Sequence, residues 1–511
     1  MLQAASVRQA ALALLKPPED LAVIVAISPE RRKFTADMQN MPKAILPDVR
    51  SVKRKFLSPA LSFLLFFTWH HATAQSVTFT SSLFALAGGG DAGPTCIAVA
   101  DVNGDGNLDM IVSNYGFRWA LPSDPGGWNT TLEVLTNNGS GTFIYNATIN
   151  VGKGPASVVA ADVNGDGKPD LVCANQTDAT LTVMTNDGRG GFNFNATLSV
   201  GAKPNSVVAV DINGDGKMDL VCANNGGNTL TVLTNGSSGV FGSNATLTVG
   251  LGAYAVVATD VNGDGKADLV CADFSDNTLT VLTNNGSGVF GTDATIPVGT
   301  KPDAVAAADF NGDGKPDLVC VNWGANTMTV LTNNGSGVFA VSATLGVGLQ
   351  PSTVAAADLN GDGSLDLVCA NTGANTLTVL TNNGRGVFSQ NSTLNQGNIP
   401  NIWPADINGD GKPDMVLANF RDGTVTVLKN TTGFAPPTII PTLSIKAQGN
   451  DVHVAWPSMS PGWSLQQKAD LCAANWLPSG YGDRRIVDDG VEKNLTLPFS
   501  AGNLFFRLIH P

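Results

Sequence analysis

The residues of this chain best suited to chemistry lie in an acidic loop of nine. One copy, Asp162-Val-Asn164-Gly-Asp166-Gly-Lys168-Pro-Asp170, recurs with little change seven times, starting at Asp101, Asp162, Asp211, Asp260, Asp309, Asp358 and Asp406. Positions 1, 3, 5 and 9 always carry side-chain oxygens. They are Asp101, Asn103, Asp105 and Asp109 in the first loop, then Asp162, Asn164, Asp166 and Asp170, and Asp211, Asn213, Asp215 and Asp219. The fourth and fifth loops hold Asp260, Asn262, Asp264, Asp268 and Asp309, Asn311, Asp313, Asp317, and the last two hold Asp358, Asn360, Asp362, Asp366 and Asp406, Asn408, Asp410, Asp414. A hard dication takes roughly six to eight oxygens at about 2.3 to 2.6 Å, and alternate residues of a tightly wound loop point at one centre. Gly at positions 4 and 6 permits the positive φ angles of such winding. The spacing therefore predicts Ca2+, up to seven ions. The Glu expected at position 12 of an EF-hand is replaced by Cys173, Cys222, Cys271, Cys320 and Cys369, and strand-like runs rather than helices flank the loop. Without a counter-ion, three carboxylates in nine residues would repel one another.

The elements that hold these loops repeat with them. The interval is 49 residues, apart from 61 between Asp101 and Asp162 and 48 between Asp358 and Asp406. Read from residue 250, one unit is an Ala/Val run to Asp260, the loop, Leu269-Val-Cys-Ala, Thr278-Leu-Thr-Val-Leu-Thr, the turn Asn284-Asn-Gly-Ser-Gly, and a run from Phe290 through Val298. Four short antiparallel strands per unit and seven units predict an all-β fold, a seven-bladed β-propeller. The last unit stops after its third strand, and an orphan strand at Val77-Thr-Phe to Ala87 precedes the first loop. That strand is expected to complete the seventh blade, closing the ring with no free edge.

With Phe290-Gly and the loop Asp309-Phe-Asn-Gly-Asp-Gly-Lys-Pro-Asp317 as typical pieces, the repeat resembles the FG-GAP (VCBS-type) repeat of integrin α-subunit propellers and many secreted bacterial proteins. The resemblance covers residues 77–434 and implies calcium ligated through loop positions 1, 3, 5 and 9. Integrin propellers carry such loops in only some blades, whereas this chain has them in all seven, so the integrin partner surface is a poor guide.

Of the 42 acidic residues 21 lie in the loops, so the net charge of −13 is mostly a statement about metal, which seven dications would offset. The absence of a basic cluster in the propeller argues against nucleic acid. Five of the seven cysteines occupy one repeat position, where the outer units have Val112 and Leu417, and read as small core residues; Cys96 and Cys472 are left over. Residues 1–40 read as an N-terminal extension or a mis-called start, and residues 41–74 as a signal peptide. A basic stretch at Arg50, Lys53, Arg54 and Lys55 precedes an apolar run from Phe56 to Phe67, and Ala72-Thr-Ala74 offers a cleavage site. No membrane span is expected after cleavage. The propeller then occupies 75–434, a Pro-rich linker 435–441, and a small C-terminal β-sandwich of fibronectin-like type 442–511.

Function is expected on the face opposite the loops. The 12 extra residues of the first interval fall between the second and third strands and bring Tyr115, Trp119, Asp124 and Trp128 to that face, where Phe274, Trp323 and Phe420, with Tyr254 and Trp403, also belong. Flat rings beside polar groups suit sugars. The reading is a secreted or cell-surface, calcium-bound, monomeric binding or adhesion protein with an extracellular glycan or protein ligand. Catalysis is not expected. The propeller has no histidine, and acid–base work would fall to scattered residues such as Asp124, Asp178, Asp273 or Asp276. The alternatives are a calcium-dependent, lyase-like polysaccharide enzyme and a structural protein-interaction module. Asn-X-Ser/Thr triplets such as Asn195-Ala-Thr and Asn285-Gly-Ser read as turns.

Overall fold

A computed structural model describes residues 76–87, 93–116, 129–397, 399 and 401–433. Beyond these it gives the backbone alone of strands at 10–15, 22–27, 444–448, 451–457, 464–468, 477–478, 486–488, 492–498 and 504–509. The signal-peptide reading of 41–74, Trp119, Asp124, Trp128 and Cys472 lie outside the described residues. Ala72–Phe434 form one compact unit, and Met1–His71 with Ala435–Pro511 another.

The first unit is a ring of seven four-stranded antiparallel sheets. In blade 4 the strands are Ala253–Thr259, Asp268–Asp273, Thr278–Asn284 and Phe290–Pro297, hydrogen-bonded in sequence order. Composition tracks depth in the ring. The second strand, Asp-Leu-Val-Cys-Ala-Asp in blade 4, is buried at every position because a neighbouring blade covers each of its faces, so it reads as a continuous apolar run. The fourth strand is outermost and alternates toward solvent. First strands of adjacent blades adjoin around the axis, from Pro94–Ala100 beside Pro155–Ala161 round to Asn401–Ala405 beside Pro94–Ala100. Their Ala content permits that approach.

Seven apolar clusters each span two successive blades. Between blades 3 and 4, Val221, Leu230 and Val232 meet Leu269, Cys271 and Leu282. Between blades 7 and 1, Val416, Val425 and Val427 meet Ile97, Met110, Val112 and Leu135. Each fully buried Val or Leu contributes about 1.5–3 kcal/mol, so the blade seams, not the single sheets, carry the stability. The five repeat-position cysteines are buried in these seams as free thiols, in agreement with their reading as core residues.

Closure follows the expected scheme. Phe79–Ala85 is the fourth strand of blade 7 and pairs antiparallel with Thr424–Asn430, from Phe79 opposite Asn430 to Ala85 opposite Thr424. Phe84 then packs edge-on against Phe143 of blade 1, with centroids 5.5 Å apart.

One turn reading is corrected. Asn285-Gly-Ser is a turn, with Ser287 N donating to Asn285 Oδ1 at 2.8 Å. Asn195-Ala-Thr instead lies within the strand Phe192–Ser199, where the register jumps between Ala196 and Phe194 and leaves Asn195 as a bulge. The bulge aims this side chain at the next blade. In the equivalent place Asn146 Nδ2 donates to Gly190 O at 3.0 Å and Asn244 Nδ2 to Gly288 O at 2.9 Å. A side chain that spans two blades cannot be told from a turn former by local composition.

In the second unit, strands 444–448, 451–457, 492–498 and 486–488 form one sheet, with Gln448 opposite Asp451. Strands 464–468, 477–478 and 504–509 form another, which also takes in Ala10–Leu15 and Ala22–Ile27. Those two apolar stretches belong to the part set aside as an extension.

Candidate functional site

The loops join first to second strands and share one face of the ring with the hairpins between third and fourth strands. In the second copy, Asp162 sits at the centre of its loop: Oδ1 accepts from Gly165 N at 2.7 Å and Asp166 N at 3.1 Å, and Oδ2 from Gly167 N at 2.8 Å. Gly165 and Gly167 take φ of 81° and 82°, as this wrapping requires. Asn164 Oδ1 accepts from Asp166 N, and Asp166 Oδ1 from Lys168 N. The position-9 acid is wholly buried. Asp170 Oδ2 accepts from Val163 N at 3.1 Å and Oδ1 from Asn186 N at 2.7 Å. Burial pushes its carboxyl up, and that of Asp366 up to about 7.

Among the described residues no three acid, His or Cys side chains converge on a metal-sized centre. Backbone amides close each loop, and Lys168, Lys217, Lys266 and Lys315 pair with the position-5 acids at 3.1–3.8 Å. These contacts meet the repulsion that the sequence alone suggested. Asp162 Oδ2, which accepts one amide, keeps a second lone-pair site, whereas Oδ1 already accepts two.

A role the sequence reading missed belongs to the asparagine that ends each third strand. Asn333 Nδ2 donates to Pro316 O of its own blade at 3.0 Å and to Val261 O in the preceding blade's loop at 2.8 Å, while its Oδ1 accepts from Gly335 N. Asn186, Asn235, Asn284, Asn382 and Asn430 reach the preceding loop in the same way, and Asn137 to Ile407 O at 2.7 Å carries the latch across the closure. The signal was present as an invariant Asn in every unit, but its turn-like setting concealed the interblade role.

The opposite face is where the blades differ. Each of the first six inner strands begins with a β-bulge, and the bulged residue is Thr95, Ala156, Asn205, Tyr254, Asp303 or Ser352. Bulges re-aim side chains, and here they do so at one mouth of the axis. A second variable set follows the second strand, including Tyr115, Gln176, Phe274 and Trp323, whose amides donate to Gly93, Gly154, Gly252 and Lys301 carbonyls in the incoming connections.

These two sets form a continuous arc. Tyr115 OH donates to Gln176 Oε1 at 2.6 Å, Gln176 Nε2 to Asn205 Oδ1 at 3.0 Å, and Asn205 Nδ2 to Tyr254 O at 2.9 Å. Tyr254 stacks on Phe274 at 5.1 Å and 26°, and Phe274 lies 6.3 Å from Trp323. Lys301 Nζ sits 4.8 Å from the Trp323 centroid and 5.7 Å from that of Phe274. Beyond Trp323 a shallow groove of about 380 Å³ is lined by Gly324, Asn326, Leu349, Gln350 and Gly373. Of the ring residues expected at this face, Tyr115, Tyr254, Phe274 and Trp323 are thus brought into the arc. Trp403 is not: it lies within the inner strand Asn401–Ala405, 39% exposed, with no described ring against it.

Six overlapping stretches, 124–173, 162–222, 211–271, 260–320, 309–369 and 358–417, match the FG-GAP-like repeat. The chain belongs to the FG-GAP-like repeat family. No curated protein matches it. Among solved structures, this FG-GAP propeller is similar to a candidate 6-phosphogluconolactonase from Bacteroides uniformis ATCC 8492, at 13% identity and a TM-score of 0.50, over 64% of this chain and 95% of that one. It is similar also to BBS1N, solved in complex with ARL6DN, at 11% identity and a TM-score of 0.51, over 69% and 96%. At these identities the likeness is one of fold. The FG-GAP propeller fits a protein-interaction module.

Proposed function

We propose that this protein is a secreted or cell-surface FG-GAP propeller that binds an extracellular glycan at the axial mouth opposite its acidic loops. One observation carries the reading. In a chain whose units are otherwise nearly identical, the residues that differ from blade to blade gather into one arc of rings and amides. Trp323 offers a flat face to the adjoining groove, where Asn326 and Gln350 supply donors and acceptors for hydroxyls. Shared scaffold with local variation is how recognition surfaces are built on repeat folds.

The acidic loops serve this reading as rigid supports on the other face. Asp, Asn and Asp at positions 1, 3 and 5, with the buried Asp at 9, would hold calcium in each blade, and the ion would supply charge compensation and stiffness. Catalysis is no part of the reading. A glycan-array screen of the protein in millimolar calcium, with Trp323→Ala alongside, tests it. Specific hits lost in the variant support it. A blank array, or hits indifferent to Trp323, would transfer the face to a protein ligand.

A further inference from the structure

One member of the bulge ring is left unanswered by the protein's own groups. Thr95 Oγ1 donates to Pro155 O at 3.2 Å, Asn205 Nδ2 to Tyr254 O at 2.9 Å, and Ser352 Oγ to Ile399 O at 3.2 Å, so each joins its blade to the next. Asp303 stands in the same position with a side chain that, ionised, has no proton to give. It is 8% exposed and accepts no hydrogen bond from any described residue. Burial alone pushes its carboxyl up to about 8, and its charge is the main reason the neighbouring Tyr254 hydroxyl is held well above its ordinary value. A carboxylate that no protein donor meets is left to water, a proton or a cation.

The surroundings favour a cation. Tyr254 is the bulged residue of the inner strand next to that of Asp303; its ring continues into Phe274 and Trp323, and the faces of those two already hold an ammonium, that of Lys301. Lys301 is two residues from Asp303, yet no ion pair forms between them. Its backbone is left-handed, with φ of 55°, as at Lys203 and Gln350 in blades 3 and 6, where blades 2 and 4 have Gly154 and Gly252. Its side chain covers the rings rather than the acid.

We propose that Asp303, Tyr254, Phe274 and Trp323 form a subsite for a ligand's protonated amine, so that the glycan of the preceding section is one bearing unacetylated amino sugars. The sugar's CH face lies on Trp323 and its ammonium meets Asp303, with the Lys301 side chain displaced from the rings. This proposal rests on the saccharide reading of the same face.

Isothermal titration of the full chain with the glucosamine tetramer and with the N-acetylglucosamine tetramer, in near-neutral buffer, tests it; the ammonium there takes the place of the proton that burial holds on Asp303. The wild type should prefer the free amine by about tenfold or more, a difference of about 1.4 kcal/mol. Asp303→Asn, close in shape to the native residue, should erase that preference while leaving the acetylated ligand unchanged, and Trp323→Ala should weaken both. Asp293→Asn, an exposed acid on an outer strand, controls for bulk attraction by an acidic chain and should leave the preference intact. Equal binding of the two tetramers, a preference that survives Asp303→Asn, or one lost equally in Asp293→Asn would overturn the amine subsite while the saccharide reading stood. No binding of either tetramer, together with a blank array, would overturn both.

Discussion

Two residue types do more in this protein than their surroundings in the sequence suggest. The Asn that ends each third strand makes bonds that water would otherwise make, and removing it strands buried carbonyls in two blades. Asn333→Ala is therefore expected to cost about 1–3 kcal/mol, measured as a lower denaturant midpoint at unchanged slope. Asp303 acts in the other sense. Its carboxyl titrates near 8 in the folded chain against an ordinary 3.8, so between those values the folded state holds the proton that the unfolded state has released. Stability falls as pH rises through that window, by about 1.4 kcal/mol per unit, and levels off above it. Asp303→Asn should remove the slope, so the melting temperature of the variant relative to wild type should climb from mildly acidic to mildly alkaline buffer. A constant difference across the window would mean that the carboxyl ionises in the folded chain as it does in the unfolded one.

At the scale of the element, the strand Phe79–Ala85 settles whether blade 7 is a sheet of three or four. Its deletion would leave Thr424–Asn430 as an open edge and strip Phe84 from the Phe143 contact. Loss of the half-buried Phe84 uncovers Phe143 and weakens the closing seam, and an open edge invites pairing with another chain. Deletion of residues 76–87 should give larger species in sedimentation velocity, and a monomer of wild-type stability would refute the role given to this strand. The strand was legible in the sequence because three-stranded blade 7 lacked a partner and an orphan run stood ready to supply one. The inner-strand bulges were not legible. A bulge adds no residue to the 49-residue period where successive units share one, so Asp303 read as an ordinary member of an Ala/Val run, and Tyr254 was picked out as a ring of that face without its bulge. The arc was missed in part for a related reason: Phe274 and Trp323 are 49 residues apart in the chain, and only the ring brings them to 6.3 Å. The length irregularity at 115–128 drew attention to Trp119 and Trp128, whereas the described arc starts at Tyr115 and continues through blades with no insertion.

For the whole molecule, the acidic loops and the apolar seams pose one question, whether the ring depends on metal. Calcium at about 100 times its dissociation constant would add roughly 2.7 kcal/mol per occupied site, so chelation should lower the melting temperature sharply, and calcium should restore it. Because amides and lysines already close the loops, a melt unchanged in EDTA would show that these contacts suffice. The closure of the ring has a further consequence, for synthesis. Thr78 N finds Thr432 Oγ1 354 residues along the chain, so the propeller strand made first waits for the propeller strand made last. Contacts of such separation form slowly, and until they form an unpaired strand stands exposed on the ribosome-bound chain. A product terminated before Thr424 would never fasten and would present that strand to proteases and chaperones. The clasp is thus a test of completeness, passed only by a chain translated through its last blade.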